Sequence, residues 1–179
     1  VLELRKWQNF FKTVMAYPER VIPRPGQESV WDYPRPPRLE PSTKHVKVMV
    51  AGVTLAESQQ SQRLLETSHP PVYYLPLADI QTQYLIPSTR HSYCEWKGTA
   101  SYYHLKIGDR QIENAGWYYP TPTPNFVQIT NYVAFYPSKM DACYLDGELV
   151  QAQAGDFYGG WITSEIVGPF KGGMGTWGW

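Results

Sequence analysis

The pattern of apolar and polar positions changes character near residue 45. Before it, Leu4, Trp7, Phe10, Phe11, Val14 and Tyr17 recur at helical spacing, with Glu3, Arg5, Lys6 and Lys12 largely elsewhere. This spacing predicts a helix over about residues 3–16, ended by Pro18, whose apolar face packs on the domain or, alternatively, on a partner or a membrane. After residue 45, period-two alternation takes over, as half-buried strands require. Val46–Val50 and Val53–Ala56 read as a hairpin turning at Ala51-Gly52. Val72–Leu75, bracketed by Pro71 and Pro76, reads as a short or edge strand. From Thr99 to Ile107 polar and apolar residues alternate, and this strand is expected to be central. Gly98 at its start allows a sharp change of direction.

Further along, Gly108-Asp109 turns the chain and Gly116–Tyr119 returns it, with Thr121–Pro124 as a rigid connector. Val133–Tyr136 and Cys143–Leu145 are further strands, and Asp146-Gly147 signals a turn before Glu148–Val150. Two segments are ambiguous. Gln59–Leu65 is polar apart from Leu64 and Leu65 and is read as a short helix or turn, and Asp79–Leu85 fits either a capped helical turn or a strand. Residues 18–45 carry Pro18, Pro23, Pro25, Pro34, Pro36, Pro37 and Pro41. Such a segment is expected not to ladder into a sheet but to run as a strap, anchored by Trp31 and Tyr33. The tail from Gln151 mixes glycines with Phe157, Tyr158, Trp161, Phe170, Trp177 and Trp179. It is expected to wrap the domain, with Trp161–Thr163 as an edge strand.

Composition sharpens this picture. With 16 prolines, 14 tyrosines and 7 tryptophans in 179 residues, a helical bundle is excluded and a mainly β chain expected. The organisation read from it is an N-terminal helix and strap (1–45), a β core (46–150) and a C-terminal extension (151–179) forming one domain overall. Lysine plus arginine and aspartate plus glutamate stand at 16 each, which argues against a nucleic-acid or membrane-surface binder. Two cysteines give neither a disulfide framework nor a CxxC pair. No apolar run of membrane-spanning length and no signal peptide are read, so a cytoplasmic location is expected.

Candidate chemistry gathers in two places. Glu66 stands three residues before His69 ahead of a strand, where the two can act as an acid/base pair at a pocket lip or simply organise a turn. Cys94, Glu95, Trp96 and Lys97 place a thiol near an ammonium, the setting of an activated nucleophile. Alternation, however, puts Cys94 and Trp96 on one face and Glu95 and Lys97 on the other, and a free buried Cys is more often a small hydrophobe. Trp96 reads as a wall for a flat ligand or as core. Lys139, in a loop after a strand, could reach an anion or form a solvated turn. His69, His91, His104, Cys94 and Cys143 are the right residue types for zinc, but their spacings fit no standard pattern, so no metal and no cofactor are expected. The phosphate-loop, dinucleotide, nucleophile-elbow and HExxH patterns do not occur.

Several of these motifs stand together in one order: Glu66–Pro76, Cys94–Tyr102, Trp117–Pro120 and Val133–Tyr136. In this the chain resembles the family labelled domain of unknown function 427, over about residues 46–150. Ser29–Pro36 and Gly159–Thr163 look like its longer, single-domain form. The resemblance implies a β-tent-like fold of two antiparallel sheets meeting at an angle. Many β-tent relatives hold zinc through two CxxC pairs, which this chain lacks. Others bind a small ligand in an aromatic cage, which would here involve Tyr73, Trp96, Tyr102, Trp117 and Tyr136. The family also carries a nucleotidyltransferase-like label, but the paired metal-binding carboxylates of phosphoryl chemistry are not evident. The expectation is a soluble β domain, monomeric or weakly dimeric, binding a small polar or aromatic ligand, with Glu66, His69, Lys97 and Lys139 as polar contacts. Two alternatives stay open: an enzyme of transferase or hydrolase type using Glu66 and His69 with Cys94 as nucleophile, and a protein-interaction module.

Overall fold

A computed structural model describes residues 18–179 of the chain, so the helix expected over residues 3–16 lies outside the described residues. The Pro-rich stretch contributes β1 (Glu28–Ser29) and β2 (Arg38–Ser42). Next come β3 (Val46–Val50), β4 (Val53–Ser58), β5 (Ser61–Leu65) and β6 (Val72–Tyr74). Three longer strands follow, β7 (Leu85–Cys94), β8 (Gly98–Ile107) and β9 (Arg110–Tyr118), and then β10 (Val133–Phe135). The C-terminal part adds β11 (Ala142–Leu145), β12 (Glu148–Leu149), β13 (Gln151–Ala152), β14 (Trp161–Ile162) and β15 (Ile166–Val167). Helix among the described residues is confined to short 3-10 turns such as Val30–Asp32 and Pro124–Ile129.

The strands form two four-stranded sheets, ordered β10-β9-β8-β7 and β12-β11-β3-β4, a three-stranded sheet β2-β5-β6, and the ribbons β13-β14 and β1-β15. All pair antiparallel except β1 with β15. No sheet closes into a barrel. As the alternation implied, β8 lies between β7 and β9. The three- and four-stranded sheets meet where Leu75 and Val133 exchange backbone hydrogen bonds of 2.9 Å each way. The β3–β4 turn takes positive φ at Ala51 (49°) and Gly52 (76°), and the β11–β12 turn at Asp146 (50°) and Gly147 (82°). Both match the mirror-image turns that suit twisted hairpins.

Three expectations are corrected. The Pro-rich stretch does ladder: β2 pairs with β5 through Pro41↔Gln62, which is allowed because β2 is an edge strand and a proline there need donate no hydrogen bond inward. Its expected anchors do bury, Trp31 to 5% and Tyr33 to 8% exposure, in a cluster with Val30, Leu65 and Ile166. Ser61–Leu65 is a strand and not a helical turn. Its polar residues sit between two partners, and Arg63 is held by Glu28 and Glu40. Lastly, β8 does not keep one buried face. Ala100 and Tyr102 belong to one core while Leu105 belongs to another, with a register shift between Tyr103 and Leu105. The Tyr102-Tyr103 pair in the sequence marks this change of phase, and a bulge is what accommodates it.

The same division runs through β6 and β10. Val72, Tyr74, Ala134 and Tyr136 fill an aromatic cluster, while Tyr73, Leu75, Val133 and Phe135 fill the aliphatic core behind it. Both faces of these strands are covered, which is why they read as unbroken apolar runs.

Candidate functional site

The β7–β8 hairpin tip is the first wall of the site. Cys94 pairs with Gly98, leaving Glu95, Trp96 and Lys97 as a three-residue loop. Gly98 closes it at φ +92°, a backbone conformation that disfavours any side chain. The connector after β9 holds the tip in place: Thr123 Oγ1 donates to the Trp96 carbonyl at 2.6 Å, and its backbone N–H donates to that of Lys97 at 3.1 Å. Because these residues form a turn, strand alternation does not govern them. Cys94, Glu95, Trp96 and Lys97 all line one cleft of about 480 Å³, which corrects their expected separation onto two faces.

The interior of that cleft is aromatic. Trp117 and Tyr119 come from β9 and the residue after it, Tyr74 from β6, Tyr136 from the end of β10, and Tyr102 from β8. Trp117 packs on Tyr136 with centroids 4.5 Å apart, and its Nε1–H donates to the Tyr74 hydroxyl at 3.1 Å. Ser92 and Tyr102 share a hydroxyl hydrogen bond of 2.7 Å, and the Arg90 guanidinium lies over the Tyr102 ring at 4.5 Å. Burial pushes the Tyr74, Tyr119 and Tyr136 phenols far above their ordinary pKa, so these hydroxyls are neutral at physiological pH.

Glu66 and His69 occupy the opposite lip, in a turn clamped from both ends of the chain. Ser68 N–H donates to the Val30 carbonyl at 2.9 Å, Thr67 Oγ1 to that of Tyr33 at 2.6 Å, and Lys171 N–H to that of Ser68 at 2.9 Å. His69 Nδ1 lies 2.9 Å from the Thr67 carbonyl. A carbonyl only accepts, so Nδ1 carries the proton and Nε2 is the basic nitrogen. Nε2 is buried without a hydrogen-bond partner among the described residues. Burial first, then the Lys171 and Arg35 charges, hold the His69 pKa below its ordinary value against the opposing pull of Glu66 and the Thr67 carbonyl. Arg35 Nε stands 3.5 Å from Glu66 Oε1.

The tail closes the third side. Tyr158 packs edge-on against the His69 ring, centroids 4.5 Å apart, and the Phe157 carbonyl accepts from the Tyr136 hydroxyl at 3.1 Å. Gly159 is required here: it has φ +68°, and a Cβ on it would stand 2.7 Å from Trp117 and 2.9 Å from Tyr136.

Of the residues singled out from the sequence, Glu66, His69, Cys94, Trp96, Lys97, Tyr102, Trp117 and Tyr136 therefore meet in one cleft. Two do not. Tyr73 points to the other face of β6, packing at a tilt against Trp161 with centroids 5.4 Å apart and lining a separate pocket of about 240 Å³. Lys139 spends its ammonium on the carbonyls of Glu113 (2.7 Å) and Asn114 (3.1 Å), over the Tyr136 ring. Cys143 lies in the aliphatic core, apart from Cys94, with its thiol pushed up to about 12 by burial. No group of three or more His, Cys, Asp or Glu side chains is placed to hold a metal among the described residues. Tyr74, Tyr119, Arg35, Tyr158 and Lys171 were missed. Tyr119 was within reach, since period two puts it on the Trp117 face, but the choice of Tyr74 over Tyr73 has no sequence signal when both faces are buried.

Fold and site together define a mainly β protein with a cleft walled by buried aromatic residues. Its family follows from comparison: the model of the domain of unknown function DUF427 matches residues 38–146, over half of the chain, and the chain belongs to that family. No curated protein matches it. Among the described residues, no helix is long and apolar enough to cross a membrane.

Proposed function

We propose that this chain is a cytoplasmic, monomeric or weakly dimeric domain of β-tent type that binds a small polar or aromatic molecule in the cleft. In this reading the N-terminal helix and strap (1–45), the core (46–150) and the extension (151–179) make one domain. The observation that carries it is the convergence of Tyr74, Trp96, Tyr102, Trp117, Tyr119 and Tyr136 on one open volume of about 480 Å³, the size of an ordinary small-molecule site. Flat aromatic walls with neutral hydroxyls favour a planar ligand. Native mass spectrometry of the protein with a library of aromatic fragments tests this. Trp96 is half-buried, so Trp96→Ala should keep the melting temperature while losing the bound fragments. Absence of any adduct, or adducts unchanged in W96A, would refute the reading.

One observation supports a second, enzymatic reading. His69 is held neutral with Nε2 as its free base, Glu66 beside it and Cys94 in the same cleft. Under this reading His69→Ala abolishes turnover of a bound molecule and leaves its affinity unchanged.

A further inference from the structure

Lys97 is a cation without a counter-charge inside the cleft. It is 7% exposed, and its ammonium lies over the Tyr119 ring at 5.8 Å. Among the described residues it forms no ion pair and no side-chain hydrogen bond. The other cations that line the cleft are engaged, and Arg90, over the Tyr102 ring at 4.5 Å, is not among the lining residues. Arg35 faces Glu66 and donates to the Thr67 carbonyl at 3.0 Å. Lys171 donates to the Trp179 carbonyl oxygen at 2.8 Å and lies over Tyr158. Glu95 is exposed and outside ion-pair distance of Lys97. The phenols of Tyr74, Tyr119 and Tyr136 offer no negative charge either, since burial keeps them neutral. A ring face compensates an ammonium only in part, whereas a hydrogen-bonded anion does so directly.

Building on the proposed aromatic cleft, we propose that its ligand carries an acidic group that pairs with Lys97: a planar aromatic acid, its ring between the cleft walls and its anion on the ammonium. A single lysine is a point charge with rotatable donors, which suits one carboxylate. The doubly charged head of a phosphate monoester would leave its second charge without a free lining cation, because Arg35 and Lys171 are already engaged.

The test uses the full chain and matched probes: benzoate, indole-3-acetate and quinoline-2-carboxylate, the primary amide of each, and phenyl phosphate, with affinities read from tryptophan fluorescence and ligand-observed NMR. The acids should bind about tenfold tighter than their amides, as a charge-assisted hydrogen bond implies. That ratio should fall to near one in Lys97→Met, with the amides binding as before. Acids and amides binding equally to the native protein would overturn the anion pairing and leave the aromatic cleft standing. An acid preference that survives in K97M, or a preference for phenyl phosphate over the carboxylates, would overturn it too. If neither acids nor amides bind, the cleft reading itself falls. Should K97M fail to fold, the acid-to-amide ratio on the native protein and its loss with added salt decide the question.

Discussion

His69 does two jobs that a reading of single residues would separate. Its Nδ1 closes a turn on the Thr67 carbonyl, and its ring lines the cleft under Tyr158. Both readings of the Glu66–His69 motif are thus compatible, because the turn is what presents the imidazole. The burial has a measurable consequence. With the folded-state pKa lowered, the unfolded chain takes up the proton first as pH falls. The contribution of neutral His69 is therefore complete above the unfolded value of about 6.5 and is lost progressively below it. Urea unfolding from about pH 8 to about pH 5 should show native stability falling more steeply than that of His69→Gln, by at most ~1.4 kcal/mol per pH unit. Parallel curves would mean that His69 is not desolvated. At this scale the sequence was informative wherever chemistry was concentrated in few positions, at 66–69 and 94–97. It was uninformative at Tyr73 and Tyr74, where identical neighbours face opposite cores.

Strand β5 shows why an element can be hidden. Ser61-Gln62-Arg63 has no alternation to read, since Ser61 is buried and Arg63 is paired with carboxylates of neighbouring strands. Arg63 donates to Glu28 at 3.0 and 3.1 Å and to Glu40 at 2.9 Å, and Tyr33 donates to Glu28 at 2.6 Å. One guanidinium thereby ties β1 and β2 to β5, and its fork geometry is what lets it serve two carboxylates. The pairing with Tyr33 and Arg63 lowers the Glu28 pKa despite its partial burial. By contrast, the β3–β4 and β11–β12 hairpins were legible because their turns are local and their strands alternate. Arg63→Met keeps most of the apolar stem but leaves Glu28 without its cation and Glu40 with Arg38 alone. It should cost about 1–3 kcal/mol in denaturant unfolding and expose residues 24–40 to protease before the rest. Unchanged stability and an unchanged cleavage pattern would show that the strap is held by Trp31 and Tyr33 alone.

Across the whole molecule, the family match ends where the cleft does not. Residues 38–146 supply its aromatic interior, but Arg35, Gln153, Phe157, Tyr158 and Lys171 come from the flanks. The flanks are also joined to each other: β1 from the strap pairs with β15 from the tail, and Trp31 Nε1 donates to the Pro169 carbonyl at 2.8 Å. Trp161, 1% exposed, carries the tail into the aliphatic core, where its backbone N–H donates to the Pro71 carbonyl at 2.8 Å. Gly160 makes this approach possible, since a Cβ on it would lie 2.8 Å from the Pro70 carbonyl oxygen. These are long-range pairings between glycine-rich and proline-rich segments, so the sequence could suggest a wrapping tail but not where it lands. They lead to one expectation about cooperativity. Removing residues 151–179 takes away Trp161, the partner of β1 and the Tyr158 wall at once, and the remaining chain should not unfold as a cooperative unit. Trp161→Ala, a milder change, should keep a single transition and lose about 3–5 kcal/mol, the cost of emptying a buried tryptophan site. Circular dichroism and tryptophan fluorescence followed through the same melts decide it. Coincident transitions in W161A, with none in the truncated chain, place strap, core and tail in one folding unit. A truncated chain that melts sharply near the native temperature would instead make residues 1–150 self-sufficient, and the tail a cover added to the cleft.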